Sequence, residues 1–248
     1  MQLSATIVTL NEERNLARAI ETLAFCDEVL VIDSGSTDAT VEVAERAGAR
    51  VISRAWAGYC DQKNFAAGEA RNDWILSLDA DEALSPELAG AIRRLTAGEP
   101  SEAGFRFPRR ARYLGEWIRH SGWYPDAKVR LYDRRRARWE GAYVHESVVV
   151  EGPVGELEGD LLHYTCDDLS AHIQTVDRYT TLAAQEWIDR RRRAPLWRLA
   201  VGPPWAFVRS FVLKLGFLDG ARGFLIAVMA AFYVFAKYAK TRFASDAA

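Results

Sequence analysis

Three carboxylates, Asp79, Asp81 and Glu82, follow directly on the apolar run Trp74-Ile75-Leu76-Ser77-Leu78. Residues i and i+2 of an extended segment point the same way, so Asp79 and Asp81 can share one divalent cation or a phosphate-bound metal. Carboxylates this close repel unless something positive sits between them. Asp-x-Asp alone is common and equally fits a solvated strand-to-helix loop, so its neighbours must decide. Two other apolar runs also end in polar groups. The first closes on Thr9-Leu10-Asn11-Glu12 and the second on Asp33. Asp33 can accept from a base or ribose donor, or serve as an ordinary turn or N-cap aspartate.

The elements that must position these groups are legible in the pattern. Residues 4–10 read as a buried strand, 16–24 as a helix with an apolar stripe, and 28–33 as a second strand. The turn at 34–38 opens a helix ending at Gly48; residues 50–53 form a third strand, 62–70 a helix and 74–78 a fourth strand. Ser85-Pro86-Glu87 is a helix start, with Ser as N-cap and Pro at the first helical position. Strand–helix alternation of this kind predicts βαβ units, a parallel sheet and right-handed crossovers. The polar strand ends then share the carboxyl edge, where open α/β sheets bind ligands. There is no G-x-G-x-x-G and no G-x-x-x-x-G-K-[ST], which argues against a dinucleotide fingerprint and a P-loop.

The rhythm breaks after Leu95. Strand-like stretches are predicted at 104–108, 128–133, 143–150 and 159–164, with aromatic and arginine residues in the loops. A long helix is predicted over 170–193. This divides the chain into 1–98 (a nucleotide-binding half), 99–169 (a second half rich in strands) and 170–248 (helical extension). Hydrophobic content of 49% and charged content of 27% describe a folded protein. The net charge of −2 hides an asymmetry: residues 190–242 hold eleven Lys/Arg and one acid, a net +10, leaving −12 elsewhere. An acidic body with a basic, aromatic tail predicts an anionic partner for the tail. The interleaving of Trp197, Trp205, Phe207 and Phe232 with Arg198, Arg209 and Lys237 suits the headgroup layer of an anionic bilayer. The alternative is a helical hairpin packed on this chain or on a second copy, giving a homo-oligomer. No nucleic-acid module accompanies the basic tail. The longest apolar run, residues 224–236, has 13 residues and is expected to be too short for a membrane span, which takes about 20. The three cysteines show no metal spacing and fit a reducing cytosol, and Met1-Gln2-Leu3 runs into a strand with no signal peptide expected.

Thr-Leu-Asn-Glu-Glu, Val-Ile-Asp-Ser-Gly-Ser-Thr-Asp, Gln62-Lys63-Asn64-Phe65-Ala66 and Leu-Asp-Ala-Asp-Glu stand in that order. As an ordered set over residues 3–96 they resemble the family 2 glycosyltransferases. The resemblance implies an α/β GT-A (Rossmann-like) fold, a mainly parallel sheet flanked by helices, here with a membrane-associating helical C-terminal extension. Gly122-Trp123-Tyr124-Pro125-Asp126, Lys128-Val129-Arg130-Leu131, Val144-His145-Glu146-Ser147, Leu162-His163-Tyr164 and Leu215-Gly216-Phe217-Leu218-Asp219-Gly220 look like one branch, the bacterial lipopolysaccharide core glucosyltransferases. This implies hexose transfer, glucose above all, from a nucleotide-diphosphate sugar (a UDP-sugar first) to the lipopolysaccharide inner core. The place would be the cytoplasmic face of the inner membrane, with the enzyme peripheral on it. It also implies inversion and a requirement for Mg²⁺ or Mn²⁺.

Roles carry over to the matching positions. Thr9, Asn11 and Glu12 would line the nucleotide and Asp33 would meet the base. Lys63 would approach the diphosphate, Asp79 the ribose or the metal, and Asp81 would ligate the metal. His163 is a third ligand or a diphosphate donor, unless it is structural. Displacement at a sugar carbon needs a base for the acceptor hydroxyl. Relatives commonly carry it in a Glu-Asp dipeptide, which this sequence lacks. Glu146 takes its place here, with Asp126 the other candidate. Arg109, Arg110, Arg112, Arg119 and Arg130 suit a phosphorylated, carboxylate-rich glycolipid, or an ordinary solvated face. Rival readings are transfer to polyprenyl phosphate, whose anionic acceptor needs no strong base, and a non-catalytic nucleotide-sugar-binding membrane module.

Overall fold

Apolar, β-branched runs bounded by turns set the first half of the molecule. The computed structural model describes residues 1–141 and 146–244. β1 (Leu3–Thr9), α1 (Leu16–Glu21), β2 (Glu28–Asp33), α2 (Thr40–Arg46), β3 (Arg50–Ser53), α3 (Tyr59–Glu69) and β4 (Trp74–Asp79) alternate as the pattern predicts. The four strands lie parallel in the order β3-β2-β1-β4. Register decides what meets at the edge: Thr9 stands opposite Asp33, and Val8 opposite Asp79. Ile7, Leu76 and Leu78 pack into one core with Leu16 of α1, while Ile32 and Ile75 pack with Ala66 of α3 in a second. Each such fully buried aliphatic side chain contributes about 1.5–3 kcal/mol.

Further along come β5 (Glu82–Leu84), α4 (Pro86–Thr96), β6 (Gly104–Tyr113), β7 (Glu116–Trp117) and β8 (Asp126–Asp133). β9 (Ala137–Glu140), β10 (Ser147–Val150), β11 (Val154–Glu156) and β12 (Leu161–Cys166) complete the strands. Ser85 caps α4 as expected, its Oγ accepting from Leu88 N at 3.2 Å. The main sheet runs β3-β2-β1-β4-β8-β6-β12-β5, with β7 and β11 on β6. β8 is antiparallel to β4, and β12 to β5, so the parallel nucleotide half continues into a mixed sheet. β9 and β10 form a separate antiparallel ribbon. The predicted strand at 143–150 is seen from Ser147 onward; residues 142–145, which include His145, lie outside the described residues.

The remaining chain is helical: α5 (Leu169–Asp189), α6 (Leu196–Val208), a π-helical turn Arg209–Leu213, a 3₁₀ turn Gly216–Asp219 and α7 (Gly220–Phe243). Two compact units result. One holds residues 1–109, 127–141 and 146–164; the other holds 110–126 and 165–244. The second has its own core of Tyr113, Ile118, Cys166 and Ile226.

The expected shortness of the tail's apolar stretch is corrected. The apolar run 224–236 sits inside a helical segment, Gly216–Phe243, whose 28 residues suffice in length and composition to cross a membrane. Counting uninterrupted apolar residues stops at Gly223 and Lys237, whereas a helix carries such residues near its ends. The segment also packs on protein within its own unit. Lys240 Nζ meets Asp177 Oδ1 at 2.7 Å, and the Tyr238 and Trp187 rings lie 5.3 Å apart. The outer side is apolar and exposed at Phe224, Phe232 and Phe235.

One buried acid ties the parallel strands together away from the site. Glu28 accepts from Ser4 Oγ at 2.6 Å, Arg71 N at 2.7 Å and Arg50 Nη2 at 2.9 Å. Burial would raise its pKa, but these donors outweigh it and leave it lowered. Its contribution is therefore present above the unfolded value of 4.5 and is lost as pH falls through the lower folded one. Glu28→Gln is expected to cost roughly 3 kcal/mol in urea unfolding at pH 7, with little difference from wild type in acid.

Candidate active site

Three strand ends build the site from one edge of the sheet. Thr9 closes β1 and is buried, and its Oγ1 has no hydrogen-bond partner among the described residues. Asn11 turns the chain in the left-handed region (φ 56°), and its Oδ1 accepts from Thr37 N at 2.8 Å. This joins the loop after β1 to the loop after β2. Glu12 accepts from Asn15 Nδ2 at 2.9 Å. Burial raises the Glu12 pKa against that hydrogen bond, and the charges of Asp81 and Asp38 raise it further.

Asp33 ends β2 with its carboxylate turned onto its own loop. It accepts from Gly35 N at 3.0 Å and Ser36 N at 3.0 Å, and from the Ser36 hydroxyl. The turn-aspartate geometry is thus the one observed. It shapes the loop that faces Asn11.

Asp79 is gripped by two cations. Lys63 Nζ lies 2.8 Å from Oδ1 and Arg130 Nη2 lies 2.8 Å from Oδ2. Burial alone would raise its pKa, but Arg130 and Lys63 hold it well below the usual carboxylate range. Arg130 Nη2 also meets Glu82 Oε1 at 3.0 Å, and Arg109 Nη1 reaches the same oxygen at 3.4 Å. The second Glu82 oxygen accepts from Asp79 N at 2.9 Å. Trp139 lies against both cations, 4.2 Å from Lys63 Nζ and 5.3 Å from Arg130 Cζ by ring centroid. Asn64 of α3 fixes that tryptophan by two backbone hydrogen bonds of 2.9 Å.

The Asp81 side chain makes no hydrogen bond to this cluster and faces His163. Its Oδ2 is 3.2 Å from His163 Nε2, and its backbone carbonyl accepts from Tyr164 N at 2.9 Å. Oδ1 has no partner among the described residues. Pairing of β12 with β5 sets His163 opposite Glu82 and so delivers the imidazole to this edge.

The structure therefore brings Thr9, Glu12, Lys63, Asp79, Asp81 and His163 into one compact unit, but Asp79, Asp81 and His163 do not converge as a three-ligand set. Among the described residues no group of three or more His, Cys, Asp or Glu side chains does. The reason is charge: Asp79 is neutralised by Lys63 and Arg130. The pair that presents an open carboxylate oxygen beside an imidazole nitrogen is Asp81 with His163. Those two donors, completed by diphosphate oxygens, fit Mg²⁺ or Mn²⁺, which are held by one or two protein carboxylates plus substrate phosphates.

Glu146 is half-buried just before β10. Burial raises the Cys60 thiol pKa, and the Glu146 charge adds to it. Asp126 opens β8 and belongs to the second unit. Arg130, expected with the glycolipid-facing arginines, is instead 4% exposed inside the first unit. Arg130, Glu82 and Trp139 are the functional neighbours the sequence reading missed in these roles. The available signal was a guanidinium inside the apolar run Val129-Arg130-Leu131-Tyr132, since a charge in a buried strand needs a partner.

A mixed sheet flanked by helices thus carries carboxylates and cations together at one edge. Residues 4–148 match the family model described as glycosyl transferase family 2, and the chain belongs to that family. It is an enzyme of the glycosyltransferase class with the GT-A-like fold. Among curated relatives it is similar to the lipopolysaccharide core biosynthesis glycosyltransferase LpsC of Rhizobium meliloti (strain 1021). The two are 33% identical over 247 residues, which cover 97% of this chain and 92% of LpsC. It is 31% identical to the uncharacterized glycosyltransferase RT0209 of Rickettsia typhi, over 97% of this chain and 87% of that protein. Among solved structures it is similar to glucosyl-3-phosphoglycerate synthase of Mycobacterium tuberculosis in complex with Mn²⁺, UDP-glucose and phosphoglyceric acid. There the TM-score is 0.36 and the identity 25%, over 46% of this chain and 44% of the other.

Proposed function

We propose that the chain transfers a hexose, glucose first, from a UDP-sugar to the inner core of lipopolysaccharide, with inversion and with a divalent metal. The observation that carries this reading is the open Asp81–His163 pair next to the Lys63–Asp79–Arg130 cluster. It is supported by full-length similarity to a lipopolysaccharide core glycosyltransferase. Asp81 and His163 would hold Mg²⁺ or Mn²⁺, which would supply neutralisation of the charge on a departing nucleoside diphosphate. Thr9, whose hydroxyl is unpartnered, and Asn11 and Glu12 line the nucleotide. Asp33 shapes the base-side loop and meets the base through its remaining lone pairs. Lys63 turns toward the diphosphate, with Asp79 keeping it charged and in place.

In the transfer step the acceptor oxygen bonds to the anomeric carbon on the face opposite the diphosphate. The anomeric C–O bond breaks with its electron pair going to the diphosphate, and the acceptor proton passes to Glu146. Glu146→Gln is expected to lower kcat by about 10²–10³-fold with donor KM nearly unchanged. A wild-type rate would move the base to Asp126, or point to an acceptor such as polyprenyl phosphate that is already an anion.

The exposed apolar and basic surface of α6 and α7 suits the cytoplasmic face of the inner membrane, where a glycolipid acceptor is found. A thermal-shift series of nucleotide sugars with Mn²⁺ tests the donor, because a ligand bound only to the native state raises its stability. UDP-glucose is expected to give the largest shift. No shift with any UDP-sugar overturns the donor assignment.

A further inference from the structure

We infer that the second unit holds a discrete site for one anionic lipid, its chain in a cleft among α5, α6 and α7 and its phosphate on Arg209 and Lys214. This rests on the reading that the helical unit meets a membrane, and goes beyond it: a specific lipid seat rather than an adsorbing surface.

The cleft has a volume of about 450 Å³, inside the range of small-molecule sites. Its walls come from Val176 of α5, Ala206 of α6, and Ile226, Met229, Ala230 and Val234 of α7. Ile226 and Met229 are buried at 1% and 7% exposure and make this part of the floor apolar, with His172 and Tyr233 also in the lining. Arg209 and Lys214 line the same cleft and are exposed, and neither forms an ion pair among the described residues. Among the described residues no carboxylate lines it. An apolar floor below two uncompensated cations is complementary to a hydrocarbon chain that ends in a phosphate. An uncharged amphiphile leaves the cations unused, and a free phosphate leaves the floor unused.

The cationic rim is built, not loose. Arg209 and Lys214 flank the π-helical turn, a geometry that recurs at functional sites. Lys214 N donates to Arg209 O at 2.8 Å, and Lys214 O accepts from Ser121 N at 2.8 Å. Leu215 then reverses the chain in the left-handed region (φ 55°). Gly216 and Gly223 meet so closely that a Cβ on Gly223 would lie 1.8 Å from Gly216 O. Asp219 locks the other side: it accepts from Arg119 N at 3.2 Å and His120 N at 3.0 Å, and pairs with His120 Nδ1 at 3.0 Å. These contacts give the Leu-Gly-Phe-Leu-Asp-Gly segment a task that the transfer chemistry leaves unassigned. They hold the rim against the loop carrying Ser121, Gly122 and Trp123, which also line the cleft. Val212 and Leu213 of the π-helical turn stay 49% and 58% exposed, an apolar approach to the mouth.

The test uses the full chain and lipids soluble as monomers, with neither sugar donor nor vesicles. Dihexanoyl phosphatidylglycerol, dihexanoyl phosphatidylcholine and glycerol 1-phosphate are titrated by calorimetry. The expected result is a one-to-one complex with phosphatidylglycerol at least tenfold tighter than with either other ligand. R209Q/K214Q, both exposed, is expected to lose that preference tenfold while remaining folded. Ala230→Phe, which fills the cleft, is expected to lose binding as well. Equal binding of glycerol 1-phosphate marks a phosphate site only, equal binding of phosphatidylcholine marks apolar adsorption, and undiminished binding by R209Q/K214Q places the lipid elsewhere. Each overturns the proposal. Sugar transfer is read separately: a chain that binds the lipid but transfers nothing refutes the glycosyl-transfer reading alone, and one that transfers without the one-to-one complex refutes this site alone.

Discussion

Asp81→Ala is expected to lower sugar transfer by at least about a thousandfold, the equivalent of roughly 4 kcal/mol in the barrier. Its melting temperature should hardly move. The two halves of that expectation come from different contacts. Structurally the Asp81 side chain makes one interaction, with His163, and is 28% exposed. A partly exposed pair of this kind contributes about 0–1 kcal/mol. The backbone bond from Tyr164 N to Asp81 O survives the substitution. Under the proposed function the same side chain would offer its open oxygen to a metal–diphosphate complex. Losing it removes stabilisation that exists only while negative charge builds on the leaving group. Three measurements check this: the transfer rate, urea unfolding, and the thermal shift produced by UDP with Mn²⁺. The shift should vanish in Asp81→Ala and shrink in His163→Ala. Retention of more than a tenth of wild-type transfer would place the metal elsewhere.

What the sequence made legible follows from how local the signals are. β1, β2 and β4 are apolar runs cut by polar residues, and their register was implied once they were read as parallel neighbours. Thr9, Asp33 and Asp79 then had to share an edge, as the pairing of Thr9 with Asp33 and of Val8 with Asp79 bears out. The Ser85 cap was equally readable, because its partner Leu88 is three residues away. Arg130 was not, because its meaning lies in partners 51 and 48 residues distant. Nothing local distinguishes a guanidinium bound for solvent from one delivered by an antiparallel strand onto Asp79. The same holds for Trp139, which reaches the site only because β9 lies beside α3. Asp33 shows the reverse: its turn geometry was local and visible, while its part in the site depends on what fills the edge.

The tail misled for another reason. A run length measures composition along the chain, but a span is a property of a helix. Gly220–Phe243 places Arg222 and the Lys237–Arg242 cations near its two ends, where their stems can reach an aqueous boundary. One side of that helix is buried at Ile226, Ala227 and Met229, and another exposes Phe224, Phe232 and Phe235. This division corresponds to a helix packed on its own unit with an apolar surface left over.

Arg130→Met is expected to cost about 3–5 kcal/mol of stability. The guanidinium bridges two acids: Asp79 at 2.8 Å and Glu82 at 3.0 Å. Burial would lower the Arg130 pKa, yet Asp79 and Glu82 raise it, so the ion is held charged. Without it, Glu82 keeps the hydrogen bond from Asp79 N and only the longer ion pair, to Arg109, and stays wholly buried. Asp79 keeps Lys63 but loses half its compensation. The pH dependence follows in sign. The folded Asp79 pKa is depressed, so its contribution is fully present above the unfolded value of 3.8 and lost as pH falls through the folded value. Wild type and Arg130→Met should therefore differ most at neutral pH and converge in acid. Adding Glu82→Gln to Arg130→Met should recover part of the loss, because the stranded buried charge is removed with its partner. Urea unfolding of the single and double variants at pH 7 and at a pH well below 3.8 measures this coupling. Additive costs at pH 7 would mean that the three charges do not act as one cluster.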